Sequence, residues 1–101
     1  MEVSTACRER TLTLTLHGEL DHHGAKGLMD KVDREIEAAL PLQLVMDMKN
    51  VSFMDSSGIA VVMRGRQRMR ELGGTLALVH VPTQPKKVFD ASGISRIVTI
   101  E

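Results

Sequence analysis

The chain has 101 residues, of which 43% are hydrophobic and 26% charged, and its 13 acidic residues balance 13 basic ones. A chain of this length has room for one core, and its composition is that of a folded domain rather than a disordered or fibrous protein. Zero net charge, only two Phe and no Trp or Tyr argue against a nucleic-acid partner.

The single cysteine and the N-terminal residues indicate the compartment. Cys7 has no second cysteine to pair with, so we expect neither a disulfide framework nor a cysteine-based zinc site. The opening Met-Glu-Val-Ser-Thr lacks the basic and apolar regions of a secretion signal, and no apolar run approaches the ~18 residues that span a bilayer. We therefore expect a cytoplasmic protein with no membrane segment.

The first half of the chain predicts a strand, a helix and a second strand. Thr and Leu alternate over residues 11–16 and His17 follows, a pattern typical of a strand with one buried face. Gly18 is expected to open a loop, and apolar residues at helical spacing predict a helix from His22 to Leu40. The apolar run from Leu42 to Met48 indicates a central parallel strand that ends by Asn50.

The second half predicts two further helix–strand units. The expected elements are a helix from Ser56–Gly58 to Leu72, a strand from Thr75 to His80, a helix from Thr83 to Ser92 capped by the Thr83 hydroxyl and ended by Gly93, and a strand from Arg96 to Ile100. Strands that alternate with helices through short connections predict an α/β fold with a mixed, mainly parallel sheet. The sheet has four or five strands, depending on whether the residues before Cys7 form one.

Segment 52–60, Ser-Phe-Met-Asp-Ser-Ser-Gly-Ile-Ala, places two hydroxyls beside a carboxylate where a strand gives way to a helix. N–H groups in the first turn of a helix have no helical partner, so a phosphate added there would meet donors and a favourable dipole. Ser and Asp are also common helix N-caps, which leaves capping as the alternative. The local pattern does not choose between Ser56 and Ser57.

A second polar cluster, Glu-Leu-Asp-His-His, occupies residues 19–23. Adjacent histidines seldom reach one metal ion together and no His-x-x-x-His is present, so a helix cap by Asp21 is favoured over a metal site. The chain also lacks the Gly-x-Ser-x-Gly of a serine hydrolase and the glycine spacing of a nucleotide-binding loop. We expect no enzyme activity, no cofactor and no metal.

Four arginines alternate along the helix that follows the serines, at Arg64, Arg66, Arg68 and Arg70. Members of this set that lie one turn apart repel each other. They form either a solvated basic face, partly neutralised by Glu71, or a docking surface for a partner.

The run Asp55-Ser56-Ser57-Gly58, after a buried strand and before an apolar helix, resembles the STAS domain of bacterial anti-sigma factor antagonists. Segments 18–23, Gly-Glu-Leu-Asp-His-His, and 87–93, Lys-Val-Phe-Asp-Ala-Ser-Gly, sharpen the resemblance, in particular to antagonists of the sporulation sigma-F system. The likeness implies one STAS domain over residues 1–101. Family members commonly carry another helix after the last strand, which this sequence lacks.

The resemblance implies a non-enzymatic switch. Such antagonists bind an anti-sigma factor that is also a serine kinase and so displace the sigma factor. The kinase then phosphorylates the serine after the aspartate, here Ser56, and a PP2C-type phosphatase restores it. The implied partner-binding residues are Glu19, Asp21, His22, His23, Asp55, Ser56, Ser57, Gly58, Ile59 and Arg66. We expect a monomer; the alternative is a STAS scaffold module that binds a partner without being phosphorylated.

Overall fold

The strands and helices follow the predicted order, and the N-terminal strand that the sequence left open is present. The computed structural model describes residues 1–101. Its elements are β1 Glu2–Arg8, β2 Thr11–Leu20, α1 His22–Ala39, β3 Gln43–Met54, α2 Ser57–Glu71, β4 Thr75–Val79, α3 Thr83–Ser92 and β5 Thr99–Ile100, with a 3₁₀ turn at Ile94–Arg96. The α/β prediction is confirmed, and the sheet has five strands. None of the helices has both the length and the hydropathy to cross a membrane.

The strands lie in the sheet in chain order, β1-β2-β3-β4-β5. β1 is antiparallel to β2, and the remaining neighbours are parallel. Right-handed crossovers between adjacent parallel strands put the connecting helices on one face of the sheet. The carboxyl ends of β2, β3 and β4 therefore meet the N-termini of α1, α2 and α3 at one edge.

The core lies between the helices and one face of the sheet. In β2 the leucines are buried and the threonines half-buried, because alternate side chains of a strand point to opposite faces. β3 adds Leu44, Met46 and Met48, while α1 and α3 contribute Ile36 and Phe89 among others, all five with no exposed surface. The alternation seen in the sequence therefore sets which face of the sheet the helices cover.

β2 and β3 are longer than the sequence predicts. The expected loop at Gly18 and the expected strand end at Asn50 are both wrong, because β2 runs to Leu20 and β3 to Met54. The pairing shifts register on both sides of Gly18, which adopts a φ of 107° that residues with a side chain rarely reach. The added pairs, which end with Leu20 opposite Met54, carry both strands to the site described below.

The C-terminal part differs from the prediction in two details. Residues 94–96 form a 3₁₀ turn, so the last strand is only Thr99–Ile100 rather than Arg96–Ile100. α3 has the predicted bounds, but its N-cap is Pro82 and no side chain caps it, so the Thr83 cap is wrong. Gly93 ends the helix as predicted, with a left-handed φ of 75°.

Candidate functional site

The two polar clusters singled out in the sequence meet at the carboxyl edge of the sheet. The backbone N–H of Asp55 donates to the carbonyl oxygen of Leu20 at 3.2 Å, which holds the end of β3 against the end of β2. Binding sites of parallel sheets gather at such edges. Segments 19–23 and 52–60 therefore form one surface, although they are distant in sequence.

The carboxylate of Asp55 joins the starts of two helices. Its Oδ1 accepts a hydrogen bond from the Ser57 N–H at 2.8 Å, and its Oδ2 accepts one from the His22 N–H at 3.2 Å. Both N–H groups belong to first turns and have no partner within their helices. The hydrogen bond from the Ser57 N–H is the largest effect on the pKa of Asp55 and lowers it. Desolvation raises this pKa by less, and the Ser57 hydroxyl and the His22 N–H lower it further, so it lies below its ordinary value. Asp55 is therefore ionised at neutral pH.

The hydroxyl of Ser56 has no structural task. Ser56 is exposed, its backbone already follows the helical turn, and its side chain makes no capping hydrogen bond. Ser57 is half-buried, and its N–H is engaged by Asp55. The capping that the sequence left open for the serines is performed by Asp55, so the Ser56 oxygen is available to a second molecule.

Gly58 allows α2 to approach the sheet closely at this point. A Cβ atom at Gly58 would lie 2.5 Å from the Cγ and Sδ atoms of Met54 and 3.1 Å from a methyl group of Leu20. Both of those residues are fully buried at the ends of β3 and β2. The glycine therefore fixes the position of Ser56 relative to the edge of the sheet.

The remaining residues of the Glu19–His23 cluster lie on the β1 side of Asp55. Asp21 caps α1 as predicted, since its Oδ1 accepts from the Gly24 N–H at 3.0 Å. Glu19, Asp21 and His23 border a shallow cleft together with Met1. No three His, Cys, Asp or Glu side chains converge on a position that would hold a metal ion.

One residue that positions the site was missed by the sequence analysis. Gln84 of α3 accepts from the Met54 N–H through Oε1 and donates to the Met54 carbonyl through Nε2, both at 2.8 Å. This side-chain amide continues the hydrogen bonding of the sheet at the end of β3 and holds α3 next to Ser56. A single glutamine in the first turn of a helix gives no sequence signal for such a contact.

A groove of about 490 Å³ opens beside Ser56 between α2 and α3. Its wall is apolar, with Ile59 from α2 and Val88 from α3, and Lys87 stands among its lining residues. Phe53, at the end of β3, is 43% exposed. Apolar surface left uncovered next to polar groups is typical of a protein interaction site.

Arg66 lies apart from the other residues of the predicted surface. It is nine residues beyond Ser57, which corresponds to about 14 Å along a helix axis. Its Nε donates to the carbonyl oxygen of Ile97 at 3.2 Å, near the start of β5. The structure thus brings His22, Asp55, Ser56, Ser57 and Ile59 together and leaves Arg66 at the other end of α2.

Comparisons with known proteins agree on one family. Residues 2–101 match the family model described as STAS domain. The chain is 33% identical over 89 residues to the anti-sigma F factor antagonist of Paenibacillus polymyxa, and the match covers 88% of this chain and 76% of that protein. It is 38% identical over 88 residues to the anti-sigma F factor antagonist of Lysinibacillus sphaericus, and this match covers 83% of this chain and 72% of that protein.

Solved structures of the anti-sigma factor antagonist SpoIIAA have the same fold. The unphosphorylated form matches with a TM-score of 0.84 and 26% identity, over 99% of this chain and 88% of that one. The phosphorylated form, from Bacillus, matches with a TM-score of 0.74 and 25% identity, over 99% and 91% of the two chains.

Proposed function

The chain belongs to the STAS domain family, and we propose that it is an anti-sigma factor antagonist controlled by phosphorylation of Ser56. The unphosphorylated form binds an anti-sigma factor that is also a serine kinase and releases the sigma factor. Phosphorylation ends this binding, and a PP2C-type phosphatase restores it. The observation that carries the proposal is that the Ser56 hydroxyl is exposed and makes no capping hydrogen bond, because Asp55 caps α2 instead. The names of the relatives and the existence of SpoIIAA in two phosphorylation states support it.

Phosphorylation would change the charge of this surface without requiring a change of fold. A phosphoserine adds about two negative charges, here next to the ionised carboxylate of Asp55. A kinase that holds a nucleoside diphosphate after transfer also presents phosphates. Like charges brought together in an interface cost several kcal/mol, and ~4 kcal/mol corresponds to roughly a thousandfold in affinity. Because Ser56 is exposed and its side chain makes no hydrogen bond, the phosphate breaks no contact of the fold.

We assign the partner surface around Ser56 to two groups of residues. His22, Asp55, Ser57, Gly58 and Ile59 surround the serine, and the groove next to Ile59 offers an apolar seat for a partner side chain. Glu19, Asp21 and His23 extend this surface towards β1. Arg66 is also assigned to partner binding, at the far end of α2.

Phosphorylation by the cognate kinase tests the proposal. With kinase and ATP, the intact mass should rise by one phosphate in the wild type and in Ser57→Ala, and stay unchanged in Ser56→Ala. Ser57→Ala is the matched control because it removes the neighbouring hydroxyl and leaves the backbone bond to Asp55 in place. A phosphate found on Ser56→Ala would reject the assignment.

Binding of the kinase tests the electrostatic part. Ser56→Asp should weaken binding at least tenfold while changing the free energy of unfolding by less than ~1 kcal/mol, because the site is on the surface. Ser95→Asp introduces the same charge at an exposed serine of the 3₁₀ turn and should bind like the wild type. Size-exclusion chromatography distinguishes the proposal from the scaffold alternative, because the scaffold alternative predicts that the protein elutes as a large assembly and the proposal predicts a monomer.

A further inference from the structure

The four alternating arginines of α2 divide into two pairs with different surroundings. Arg64 forms a two-point contact with Asp33 of α1, its Nη2 lying 2.8 Å from Oδ2 and its Nε 3.1 Å from Oδ1. Arg68 lies 3.1 Å from Glu37 through its Nη2. These two arginines are ion-paired across the α1–α2 contact, and the bond from Arg64 holds the pKa of Asp33 below its ordinary value.

Arg66 and Arg70 lie on the other side of α2 and have no acidic partner. The one hydrogen bond of Arg66 goes from Nε to the Ile97 carbonyl, which leaves its remaining N–H groups without a protein acceptor. Arg70 is exposed and makes no side-chain hydrogen bond or ion pair. Glu71 does not neutralise these two residues, because its carboxylate contacts Arg68. For Arg66 and Arg70 the two interpretations of the sequence are a solvated basic surface and a docking surface.

Both unpaired arginines line a groove of about 380 Å³ between α2 and the β4–β5 edge. Its lining is mainly polar, because Met69, Leu76 and Val98 are nearly fully buried beneath it. Ile97, which is half exposed, supplies the apolar surface at its wall. The groove therefore combines two unpaired cations with one exposed aliphatic side chain.

We propose that this groove binds a short acidic segment of a partner protein, with its carboxylates on Arg66 and Arg70 and an aliphatic side chain against Ile97. Guanidinium groups match carboxylates in geometry as well as in charge. A small inorganic anion would use the arginines and leave Ile97 uncovered, and a nucleic acid would need more than two cations and a stacking surface. An acidic peptide uses both features, because it carries carboxylates and aliphatic side chains on one chain.

This second surface is distinct from the phosphorylation site. Arg66 and Arg70 lie about 15–20 Å along α2 from Ser56. A segment bound there leaves Ser56 accessible. The inference shares Arg66 with the partner surface assigned above and deepens that assignment, but peptide binding is measured without kinase or phosphorylation, so it can fail while phosphorylation of Ser56 holds.

The test uses the peptide acetyl-Glu-Leu-Glu-Val-Glu-amide as probe, titrated into the ¹⁵N-labelled protein at low salt. Saturable shifts of amide signals are expected at Thr75, Leu76, Val98 and Thr99. Arg70→Gln should weaken the peptide several-fold, and adding Arg66→Gln should weaken it at least tenfold. Because Arg70 bonds to nothing in the fold, its replacement leaves the groove intact. The matched control is Lys26→Gln/Arg34→Gln, which removes the same charge from exposed, unpaired residues of α1 and should bind the peptide like the wild type.

Four results would overturn the proposal. The first is the absence of saturable shifts in the groove up to a roughly tenfold excess of peptide over protein. The second is equal binding of the analogue acetyl-Lys-Leu-Lys-Val-Lys-amide. The third is equal weakening by the α1 control, which would indicate a nonspecific charge effect. The fourth is that inorganic phosphate or a single-stranded oligonucleotide causes the same shifts at lower concentration, which would assign the groove to phosphate groups.

Discussion

The carboxylate of Asp55 accepts a hydrogen bond from the His22 backbone N–H at 3.2 Å, so one side chain fixes the start of α1 as well as that of α2. The same carboxylate stands beside the proposed phosphate acceptor. An asparagine at this position would keep one of the two capping bonds, because it offers one acceptor oxygen in place of two.

We expect Asp55→Ala to lower the thermal midpoint of unfolding clearly, since two first-turn N–H groups lose their acceptor. Asp55→Asn should lie between the wild type and Asp55→Ala, because its one amide oxygen can accept from only one of the two N–H groups. Thermal melts at neutral pH check the order wild type, Asn, Ala. If Asn and Ala were equally destabilised, one remaining capping bond would add nothing to stability.

Gly58 gives a prediction about packing under the site. Gly58→Ala should lower the free energy of unfolding by about 1–3 kcal/mol, because the new methyl group would overlap the buried Met54 side chain. Gly27→Ala in the middle of α1 is the matched control, since its Cβ meets no atom within 4 Å. It should raise stability by roughly 0.5–1 kcal/mol. Urea unfolding of the two variants measures both, and a neutral Gly58→Ala would show that α2 can move away from the sheet.

The helix bounds were predictable and the ends of the strands were not. α1 has apolar residues at helical spacing and a proline after it, so local pattern specifies both of its ends. β3 continues through Lys49 and Asn50, which are exposed, because pairing with β2 resumes at Asn50, opposite His17, after a shift of register. β5 is short because only two residues of β4 pair with it.

The location of the site was predictable from the sequence, whereas the role of each residue in it was not. Segment 52–60 offers an Asp and two Ser residues that can each cap a helix, and only the geometry shows that Asp55 does so. The contact of Gln84 with Met54 joins residues 30 apart and follows no periodic pattern. The same holds for the four arginines of α2. Their spacing in the sequence predicts that they repel one another, but only the position of α1 shows which two of them are neutralised by acidic residues.

The lowered pKa of Asp47 leads to a prediction about how stability depends on pH. It is buried on the sheet, and although burial raises its pKa, the Lys49 N–H, the His80 ring and the Lys49 charge together hold it below the ordinary value of 3.8. A carboxylate with a lowered pKa stabilises the fold when ionised, so its contribution is complete above the unfolded value and lost as pH falls through the folded one. The thermal midpoint should be level above about pH 5 and fall below pH 4. Asp47→Asn should be less stable at neutral pH and approach the wild type at pH 3, whereas parallel curves would exclude Asp47 as a source of the fall.

The last prediction rests on the proposed phosphorylation and concerns Lys87, which lines the groove beside Ser56 and makes no ion pair. A cation near a phosphate favours its dianion, so the second pKa of the Ser56 phosphate should be lower in the wild type than in Lys87→Gln. The adjacent Lys86→Gln is the matched control, because the Lys86 Nζ lies 3.3 Å from Asp90 and is already paired. With phosphoserine incorporated at position 56 during translation, a ³¹P titration gives these values without any kinase. The difference should shrink at high salt, because screening weakens exposed charge pairs. Equal pKa values in all three proteins would show that the phosphate points away from α3 and leaves the apolar groove open.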